Sequence, residues 1–374
     1  MADDTSWLVI AGGGTGGHLY PGLAVAESLQ TMQPDFKVIV FGTPRPIDKK
    51  LTDARGYGLV AQEVRPFPKK LLEYFGFLRA WTRSVRQAKA LFQERRPAVV
   101  LGLGGYAAGP PIIAASKLGI PTALFNPDAV PGVANRKLAK HADRIFVQWH
   151  ETAEFFDHSP KVHGTGCPIR SDFSRVDRET AIRRLKLDPQ KKTLLITGAS
   201  QGAHTINTAA VELIDFWLEY GDWQLIHLTG PGDLKMCRSR YAEADLPVLT
   251  LAFTEHMPMC MAAADLIISR AGASTLAEIA AMGRAAILMP YPFDRKKHQL
   301  ANARILVDAN AAALVEDMNH AKKNAKGLRK ELLSLMRAEH RRVAMAQTAG
   351  AMGRHDAALV IAEQLLAMAR GEED

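Results

Sequence analysis

Short apolar runs rich in β-branched residues alternate with helical stretches along this chain, and the whole alternation occurs twice. This pattern is typical of βαβ units, in which helices cover both faces of a parallel sheet. The sequence therefore predicts an α/β fold with two Rossmann-like domains and parallel sheets. The candidate strands are 8–11, 37–41, 99–103, 122–125 and 144–147 in the first set, and 193–197, 224–228, 248–253, 266–269 and 286–289 in the second.

The length of the chain, 374 residues, suits two domains that each bury a core of their own. We expect an N-terminal domain over 1–167 and a C-terminal domain over 191–345. The segment between them, 168–190, is charged and weakly apolar, and it is interpreted as a linker. Residues 346–374 are expected to form a helix that packs back on the body of the protein.

The chain is basic, with a formal net charge of +8, which favours an anionic partner. It has no zinc-knuckle spacing and no aromatic ribonucleoprotein motif, so a nucleic acid is not favoured. The widely spaced Cys167, Cys237 and Cys260 form no disulfide framework, which indicates a reducing, cytoplasmic compartment. The uncharged run 98–116 holds several glycines and prolines, and is interpreted as a strand, a glycine loop and a helix start rather than a membrane span.

The first glycine loop, Gly12-Gly13-Gly14-Thr15-Gly16-Gly17-His18, directly follows a candidate strand. Such a loop lets a ligand approach the backbone and the N-terminus of the next helix, although a simple tight turn is the alternative. A dinucleotide fold would need an acid at the end of the second strand, where 41–45 has none, so nicotinamide and flavin are disfavoured. His18 lies where ligands bind in α/β folds, and its imidazole is a candidate general base.

Further loops follow strands in both halves. The second glycine loop is Gly102-Leu103-Gly104-Gly105-Tyr106, and the third, Thr197-Gly198-Ala199-Ser200-Gln201-Gly202, opens the second half. Ser200 could cap a helix or bind a phosphate. Glycine loops at strand ends in both halves favour a cleft shared between the two domains.

Two later motifs in the second half carry polar groups. In Ser269-Arg270-Ala271-Gly272-Ala273-Ser274-Thr275, the nearby Glu278 is either a capping-box acid or a carboxylate that binds sugar hydroxyls. The loop 290–294 is followed by His298 and Gln299, which could bind hydroxyls. No Asp-x-Asp pair and no His/Cys cluster occurs, so no metal site is expected.

Together these motifs resemble the MurG family over roughly residues 7–365. The resemblance implies the GT-B architecture, with two Rossmann-like domains facing across a cleft. It also implies transfer of N-acetylglucosamine from UDP to the lipid-linked muramyl-peptide precursor of peptidoglycan. The matching motifs are Gly13-Gly14-Thr15-Gly16-Gly17-His18 with Pro21, Gly104-Gly105-Tyr106, Val130-Pro131-Gly132 with Asn135, Pro168-Ile169-Arg170, Ser200-Gln201-Gly202-Ala203 with Asn207, Phe253-Thr254 with Met257, Ser269-Arg270-Ala271-Gly272-Ala273 with Thr275 and Glu278, and His298-Gln299 with Asn302.

The resemblance implies an inverting reaction that forms a β-1,4 link, with UDP-N-acetylglucosamine as donor and no cofactor. His18 and the first glycine loop would serve the reacting centre from the acceptor side. Glu278 would hold the ribose, the backbone of Thr254 would contact the uracil, and Arg170 would meet the diphosphate. The full set of implied substrate-binding residues is Thr15, Gly16, Gly17, Asp128, Arg170, Ser200, Gln201, Gly202, Thr254, Ala273, Ser274, Thr275, Glu278, His298 and Gln299.

One segment departs from the family pattern. The family usually has His-Glu-Gln-Asn before Val130-Pro131-Gly132, whereas this sequence has Phe125-Asn126-Pro127-Asp128, so Asp128 replaces an asparagine. An ionised Asp accepts hydrogen bonds but cannot donate one, so donor or acceptor preference could differ. A UDP-N-acetylglucosamine 2-epimerase, a UDP-sugar glycolipid synthase and a non-catalytic UDP-sugar-binding subunit are the alternative functions.

The segment 69–81 interleaves aromatic residues and leucines with basic residues. Such segments suit an anionic lipid surface, and the alternative is that Phe75, Phe77 and Trp81 belong to the core. The family has a membrane-facing patch in this region. We therefore expect a cytoplasmic protein that is peripheral on the inner face of the cell membrane, with an undecaprenyl-linked muramyl-peptide as acceptor.

Overall fold

The computed structural model describes residues 6–14, 16–65, 68, 70–198 and 201–372, without the side chains of His18 and Leu71. The chain forms two compact units. The first comprises residues 1–170 and 355–374, and the second comprises residues 171–354. Thr15 and Ser200 of the predicted site and Lys69 of the predicted membrane segment lie outside the described residues.

The first unit contains a parallel sheet of seven strands in the order β3-β2-β1-β4-β5-β6-β7. Its central strands are buried along their whole length, as expected for a parallel sheet with helices on both faces. The strands are β1 Trp7–Ala11, β2 Lys37–Gly42, β3 Gly58–Ala61, β4 Val99–Gly102, β5 Thr122–Asn126, β6 Arg144–Val147 and β7 Val162–Gly164, and the helices that precede residue 171 are α1 Gly16–Met32, α2 Pro46–Asp53, α3 Tyr74–Glu94, α4 Gly105–Lys117 and α5 Val133–Leu138.

The second unit contains a parallel sheet of six strands in the order β10-β9-β8-β11-β12-β13. The prediction of two Rossmann-like halves with parallel sheets is therefore confirmed. The strands are β8 Lys192–Thr197, β9 Trp223–Leu228, β10 Val248–Leu251, β11 Leu266–Ser269, β12 Ala285–Leu288 and β13 Ala313–Leu314, and the helices are α6 Arg178–Leu185, α7 His204–Val211, α8 Ile214–Leu218, α9 Leu234–Glu243, α10 Met257–Ala263, α11 Ala273–Ala281, α12 His298–Asp308, α13 Ala321–Arg337 and α14 Glu339–Met352.

The segment 168–190, for which the sequence predicts a linker, belongs mostly to the second unit. It contains α6, whose N-cap Asp177 accepts hydrogen bonds from the backbone N–H and the hydroxyl of Thr180 at 2.8 and 2.9 Å. Helix α6 packs against α10, and Arg178 forms an ion pair with Asp265 at 2.9 Å. Two charged residues of this segment, Asp177 and Arg178, therefore form a cap and an ion pair within the second unit, and the division between the units falls at residue 170.

The C-terminal tail also divides differently from the expected boundary at residue 345. Helix α14 packs on α11 and β12, so the second unit continues to residue 354. The last helix, α15 Ala357–Arg370, packs on α1 and β4 in the first unit. The run 98–116 forms β4, a glycine turn and most of α4, as the sequence predicts. No helix in the described part of the chain is long and apolar enough to cross a membrane.

Candidate functional site

In the first unit, the loops after β1, β2 and β4 meet at the carboxyl edge of the sheet. The N–H of Gly12 donates to the carbonyl of Phe41 at 3.0 Å, and that of Leu103 donates to Ala11 at 2.8 Å. A Cβ added to Gly14 would lie 3.8 Å from the hydroxyl oxygen of Tyr106. The structure therefore brings the first and second glycine loops together, as the parallel order of their strands requires.

The first glycine loop lies directly on two side chains. A Cβ added to Gly12 would lie 2.9 Å from Cβ of Leu103, and one added to Gly13 would lie 2.2 Å from Oδ2 of Asp48. Only glycine fits against these neighbours. Helix α1 begins at Gly16, so Gly17 and His18 lie in its first turn, at the positive end of the helix dipole.

Asp48, which no sequence motif pointed to, is fully buried in the first turn of α2. Its carboxylate accepts hydrogen bonds from the backbone N–H of Gly14 at 2.8 and 2.9 Å and from the N–H and hydroxyl of Thr43 at 2.7 and 2.8 Å. The available signal was an acid just after Pro46, which starts a helix beside a glycine loop. An acid thus does follow β2, but it holds the loop from within the protein.

The backbone around Asp128 is held by neighbouring side chains. Asn126 donates to the carbonyl of Asp128 at 2.6 Å, and Asn135 donates to the amide oxygen of Asn126 at 2.9 Å. The hydroxyl of Thr152 donates to the carbonyl of Ala129 at 3.1 Å. Asp128 itself is half-buried, and it follows β5 at the carboxyl edge of the sheet.

Arg170 is the last residue of the first unit before the chain enters the second. Its guanidinium lies over the ring of Tyr20, with Cζ 5.2 Å from the ring centroid. Tyr20 belongs to α1, so the structure places Arg170 beside the helix that follows the first glycine loop. A cation–π contact of this kind helps to hold the guanidinium in this position.

In the second unit, the third glycine loop crosses the turn after β9 at close range. A Cβ added to Gly202 would lie 1.9 Å from the carbonyl oxygen of Thr229, and one added to Gly230 would lie 2.2 Å from that of Gln201. Both glycines have a φ of +76°, which side chains rarely adopt. Gln201 is exposed at this crossing, just before α7.

The motif 269–275 contains a buried cation, the guanidinium of Arg270. Arg270 donates to Asp317 at 2.8 Å, to the carbonyls of Met289 and Pro290 at 2.9 and 3.1 Å, and to Thr205 at 2.7 Å. Burial raises the pKa of Asp317, but hydrogen bonds from Thr205 and Arg270 and from two asparagines outweigh burial and hold this pKa below its usual range. Arg270 thus ties the ends of β11 and β12 together.

Helix α11 begins directly after Gly272, which is its N-cap. Residues Ala273, Ser274 and Thr275 therefore form the first turn, at the positive end of the helix dipole, a position that favours an anion. A capping-box acid would occupy the third helical position, which is Thr275. Glu278 is half-buried one turn later, which disfavours the capping-box interpretation.

Gln299 joins two loops through one oxygen. Its Oε1 accepts the N–H of Tyr291 at 3.0 Å and that of Ala271 at 3.3 Å, and its own backbone N–H donates to Asp294 at 3.0 Å. No described residue forms a hydrogen bond with its Nε2. His298 begins α12 in the same loop, and both side chains are half-buried.

The described part of the chain holds no group of three His, Cys, Asp or Glu side chains placed to hold a metal ion. All three cysteines are buried and unpaired with one another, and burial raises the thiol pKa of Cys237 to about 12 and that of Cys260 to about 11. The thiols of Cys237 and Cys260 are therefore protonated and unreactive near neutral pH.

Two family models match the two units. The glycosyltransferase family 28 N-terminal domain matches residues 8–147, and the C-terminal domain of the same family matches residues 193–361. A UDP-N-acetylglucosamine--N-acetylmuramyl-(pentapeptide) pyrophosphoryl-undecaprenol N-acetylglucosamine transferase of Prosthecochloris aestuarii is 36% identical over 97% of this chain and 99% of its own length. The protein of that name from Thermodesulfovibrio yellowstonii is 38% identical over 83% of this chain and 85% of its own length. The chain belongs to the MurG family.

Solved structures agree with membership of the MurG family. MurG of Acinetobacter baumannii is similar with a TM-score of 0.74 and 25% identity, covering 96% of this chain and 99% of that one. The expected GT-B class is thereby confirmed. A UDP-GlcNAc 2-epimerase from Neisseria meningitidis has a TM-score of 0.66 at 15% identity over 96% of this chain, a likeness that shows the shared fold alone.

Proposed function

We propose that this protein transfers N-acetylglucosamine from UDP-N-acetylglucosamine to the 4-hydroxyl of an undecaprenyl-linked N-acetylmuramyl-pentapeptide, with inversion to a β-1,4 link. The observation that carries the proposal is 36% identity to a transferase of that activity over 97% of this chain, both halves included. The protein is a hexosyltransferase of peptidoglycan synthesis, and this role places it in cell-wall growth and division.

The second unit is the proposed donor site. The N–H groups at the start of α11 and the positive end of its dipole favour the diphosphate, together with Ser200, Gln201 and Gly202. Glu278 would accept the ribose hydroxyls. The backbone N–H and C=O of Thr254 form no hydrogen bond with any described residue, so both are available to the uracil edge. His298 and the Nε2 group of Gln299 would contact the sugar or its phosphates.

The first unit is the proposed acceptor site. His18 would take the proton of the attacking hydroxyl, and Thr15, Gly16 and Gly17 would orient the acceptor. As the anomeric bond to UDP breaks, negative charge develops on the leaving diphosphate. Arg170 and the helix N–H groups would stabilise that charge, and such preorganised stabilisation is commonly the largest catalytic effect. We expect no cofactor, because UDP-N-acetylglucosamine is the donor substrate.

Asp128 distinguishes this chain from the family pattern in the region that is proposed to bind the acceptor and the donor sugar. Because Asn126 and Thr152 both donate hydrogen bonds to the backbone carbonyl of Asp128, we infer that the replacement of an asparagine alters the chemistry of the side chain more than the course of the backbone. A carboxylate accepts hydrogen bonds from sugar hydroxyls but cannot donate to the acetamido carbonyl. A changed donor or acceptor, as in a glycolipid synthase, is the alternative that this residue supports.

The segment that begins α3 is the proposed membrane contact. Leu72 and Phe75 are 95% and 79% exposed, and the exposed Lys70 and Arg79 flank them. Trp81 instead packs against α4, since a Cβ added to Gly109 would lie 2.2 Å from its indole ring. Exposed apolar side chains beside cations suit an anionic lipid surface, which is where the acceptor resides.

The decisive experiment offers radiolabelled UDP-N-acetylglucosamine, or other labelled UDP-sugars, to the full-length protein with lipid-linked muramyl-pentapeptide in micelles, with and without chelator. We expect transfer of N-acetylglucosamine to the lipid in both conditions. Incubation without acceptor tests the epimerase, which would yield UDP-N-acetylmannosamine. Transfer from a different UDP-sugar alone would overturn the proposal and support the change at Asp128.

A further inference from the structure

The carboxylate of Asp48 is buried without a cationic partner among the described residues. Its side chain is 0% exposed, and its only donors in the described part of the chain are Gly14 and Thr43. Burying a carboxylate is costly unless several donors compensate for its lost hydration. Both oxygens of Asp48 are used in this way, and one of the donors is the backbone of the first glycine loop.

Gly14 is held from both sides. Its N–H donates to Asp48, and its carbonyl accepts a hydrogen bond from Nη1 of Arg45 at 2.8 Å. Gly14 has a φ of +88°, and the carboxylate occupies the space that a Cβ on Gly13 would need. Asp48 and Arg45 therefore fix the peptide groups on both sides of Gly14, immediately before α1.

The contacts of Asp48 and Arg45 with Gly14, called the clamp below, also alter what the loop can bind. In a dinucleotide-binding fold, the N–H groups of the glycine loop face the pyrophosphate. Here the N–H of Gly14 faces a buried negative charge, so this part of the loop does not favour an anion. The clamp thus explains why this glycine loop differs in chemistry from the start of α11.

We propose that Asp48 is a positioning residue for the transfer reaction. It touches no substrate, and it holds the first glycine loop so that the start of α1, with His18 in its first turn, keeps the geometry needed for attack by the acceptor. This inference rests on the proposed function. It predicts a loss of turnover at saturating donor while UDP binding, which is assigned to the second unit, is retained.

The test compares Asp48→Asn with a matched variant. In Asp48→Asn the Nδ2 group cannot accept. In the place of Oδ1 it would face the N–H of Gly14 at 2.8 Å, and in the place of Oδ2 it would face the N–H of Thr43 at 2.7 Å, so one backbone donor meets another donor in either orientation. The control is Asp143→Asn, because Oδ2 of Asp143 accepts the backbone N–H of Thr122 at 2.8 Å at the opposite edge of the same sheet. Turnover, the KM for each substrate, the Kd for UDP and the melting temperature are measured for each.

We expect Asp48→Asn to lower kcat by about tenfold or more, since a shift of ~1 Å in a catalytic group costs up to about 10²-fold. The Kd for UDP should stay within about twofold, and Asp143→Asn should keep its turnover. Asp48→Glu, which retains a carboxylate, should recover part of kcat. A normal kcat for Asp48→Asn with a lowered melting temperature would show a merely structural role and overturn the inference.

If Asp48→Asn does not fold, Arg45→Gln provides the same test at an exposed position. It removes the donor to the carbonyl of Gly14 and leaves the buried carboxylate intact. We expect a loss of kcat in the same direction, about threefold or more, because one side of the clamp remains. An unchanged kcat for Arg45→Gln would then contradict the inference. If the wild-type protein itself transfers no N-acetylglucosamine, the proposed function fails instead.

Discussion

The Nε2 atom of His227 lies 3.0 Å from the amide oxygen of Asn207 in the core of the second unit. The amide nitrogen of Asn207 donates to the carbonyl of Thr229 at 2.7 Å and to Asp233 at 2.8 Å, so its oxygen must accept. His227 is therefore protonated on Nε2, and its Nδ1 accepts from the hydroxyl of Tyr241 at 2.8 Å. Thr229 lies against the third glycine loop, so this buried chain supports the proposed donor site.

The first prediction concerns the pH dependence of stability. Burial lowers the pKa of His227 to about 3, partly offset by the charge of Asp233, against about 6.5 in the unfolded chain. The neutral form is thus favoured in the fold, and its stabilisation is complete above pH 6.5 and is lost as the pH falls towards 3. His227 should contribute a slope of up to about 1.4 kcal/mol per pH unit in that window.

Urea unfolding between pH 8 and pH 4 measures this slope for the wild type and for His227→Gln. The variant should be less stable at pH 8 but should lose less stability on acidification. His340→Gln is the control, because His340 is exposed on α14 and forms no hydrogen bond or ion pair with His227, Asn207 or Asp233 in the described part of the chain. Equal slopes for the wild type and His227→Gln would contradict the buried neutral imidazole.

The second prediction concerns the buried pair of Arg270 and Asp317. Arg270→Ala leaves a buried carboxylate without its cation and frees the carbonyls of Met289 and Pro290. We expect a loss of about 3–5 kcal/mol in the free energy of unfolding. Arg270→Lys keeps the positive charge but lacks the planar guanidinium that donates to several acceptors at once. Its free energy of unfolding should lie between those of the wild type and Arg270→Ala. A loss below about 1 kcal/mol for Arg270→Ala would show that the pair is dispensable.

All the sheet strands except the short β3, β7 and β13, and most of the loops at their ends, could be predicted from the sequence, because both signals are local. Buried parallel strands are continuous apolar runs, and the glycines 12–14 and 102–105 directly follow two of them. The parallel order then brings those loops to one edge without further information. For the same reason, the helix start after Gly272 could be located from its residues alone.

The missed features depend on partners that are distant in the sequence. Asp48 looks like an ordinary helix-start acid until Gly14 is placed against it, 34 residues away along the chain. The segment 168–190 looks like a linker because its charges are visible and their partners, such as Asp265, are not. His227 lies in a strand of apolar residues, and nothing local reveals that Asn207 and Tyr241 bind it.

The third prediction concerns the proposed membrane contact at the start of α3. Neutralising Lys70, Arg79 and Arg83 should weaken binding to phosphatidylglycerol vesicles at low salt about a hundredfold, at about 1 kcal/mol per charge. Phe75→Ser should weaken binding without altering its salt dependence. Replacing the exposed Lys322, Lys323 and Lys326 of α13 with Gln removes the same charge elsewhere and is the control. An equal effect of both triple variants would indicate net charge alone.

The fourth prediction separates the proposed roles of the two units. Glu278→Ala removes a charged acceptor for the ribose hydroxyls, and hydrogen bonds to a charged group contribute about 1.5–3 kcal/mol, so the Kd for UDP should rise about tenfold to hundredfold. Glu278→Gln keeps one acceptor oxygen and should fall between that variant and the wild type. His18→Ala should instead lower kcat by about 10²–10⁴-fold, as expected for a lost general base, with the Kd for UDP within about twofold. Calorimetric titration with UDP measures the Kd, and turnover with the lipid acceptor measures kcat. His18 belongs to the first unit and Glu278 to the second. The reverse pattern, with UDP binding lost in His18→Ala and retained in Glu278→Ala, would therefore place the donor on the first unit.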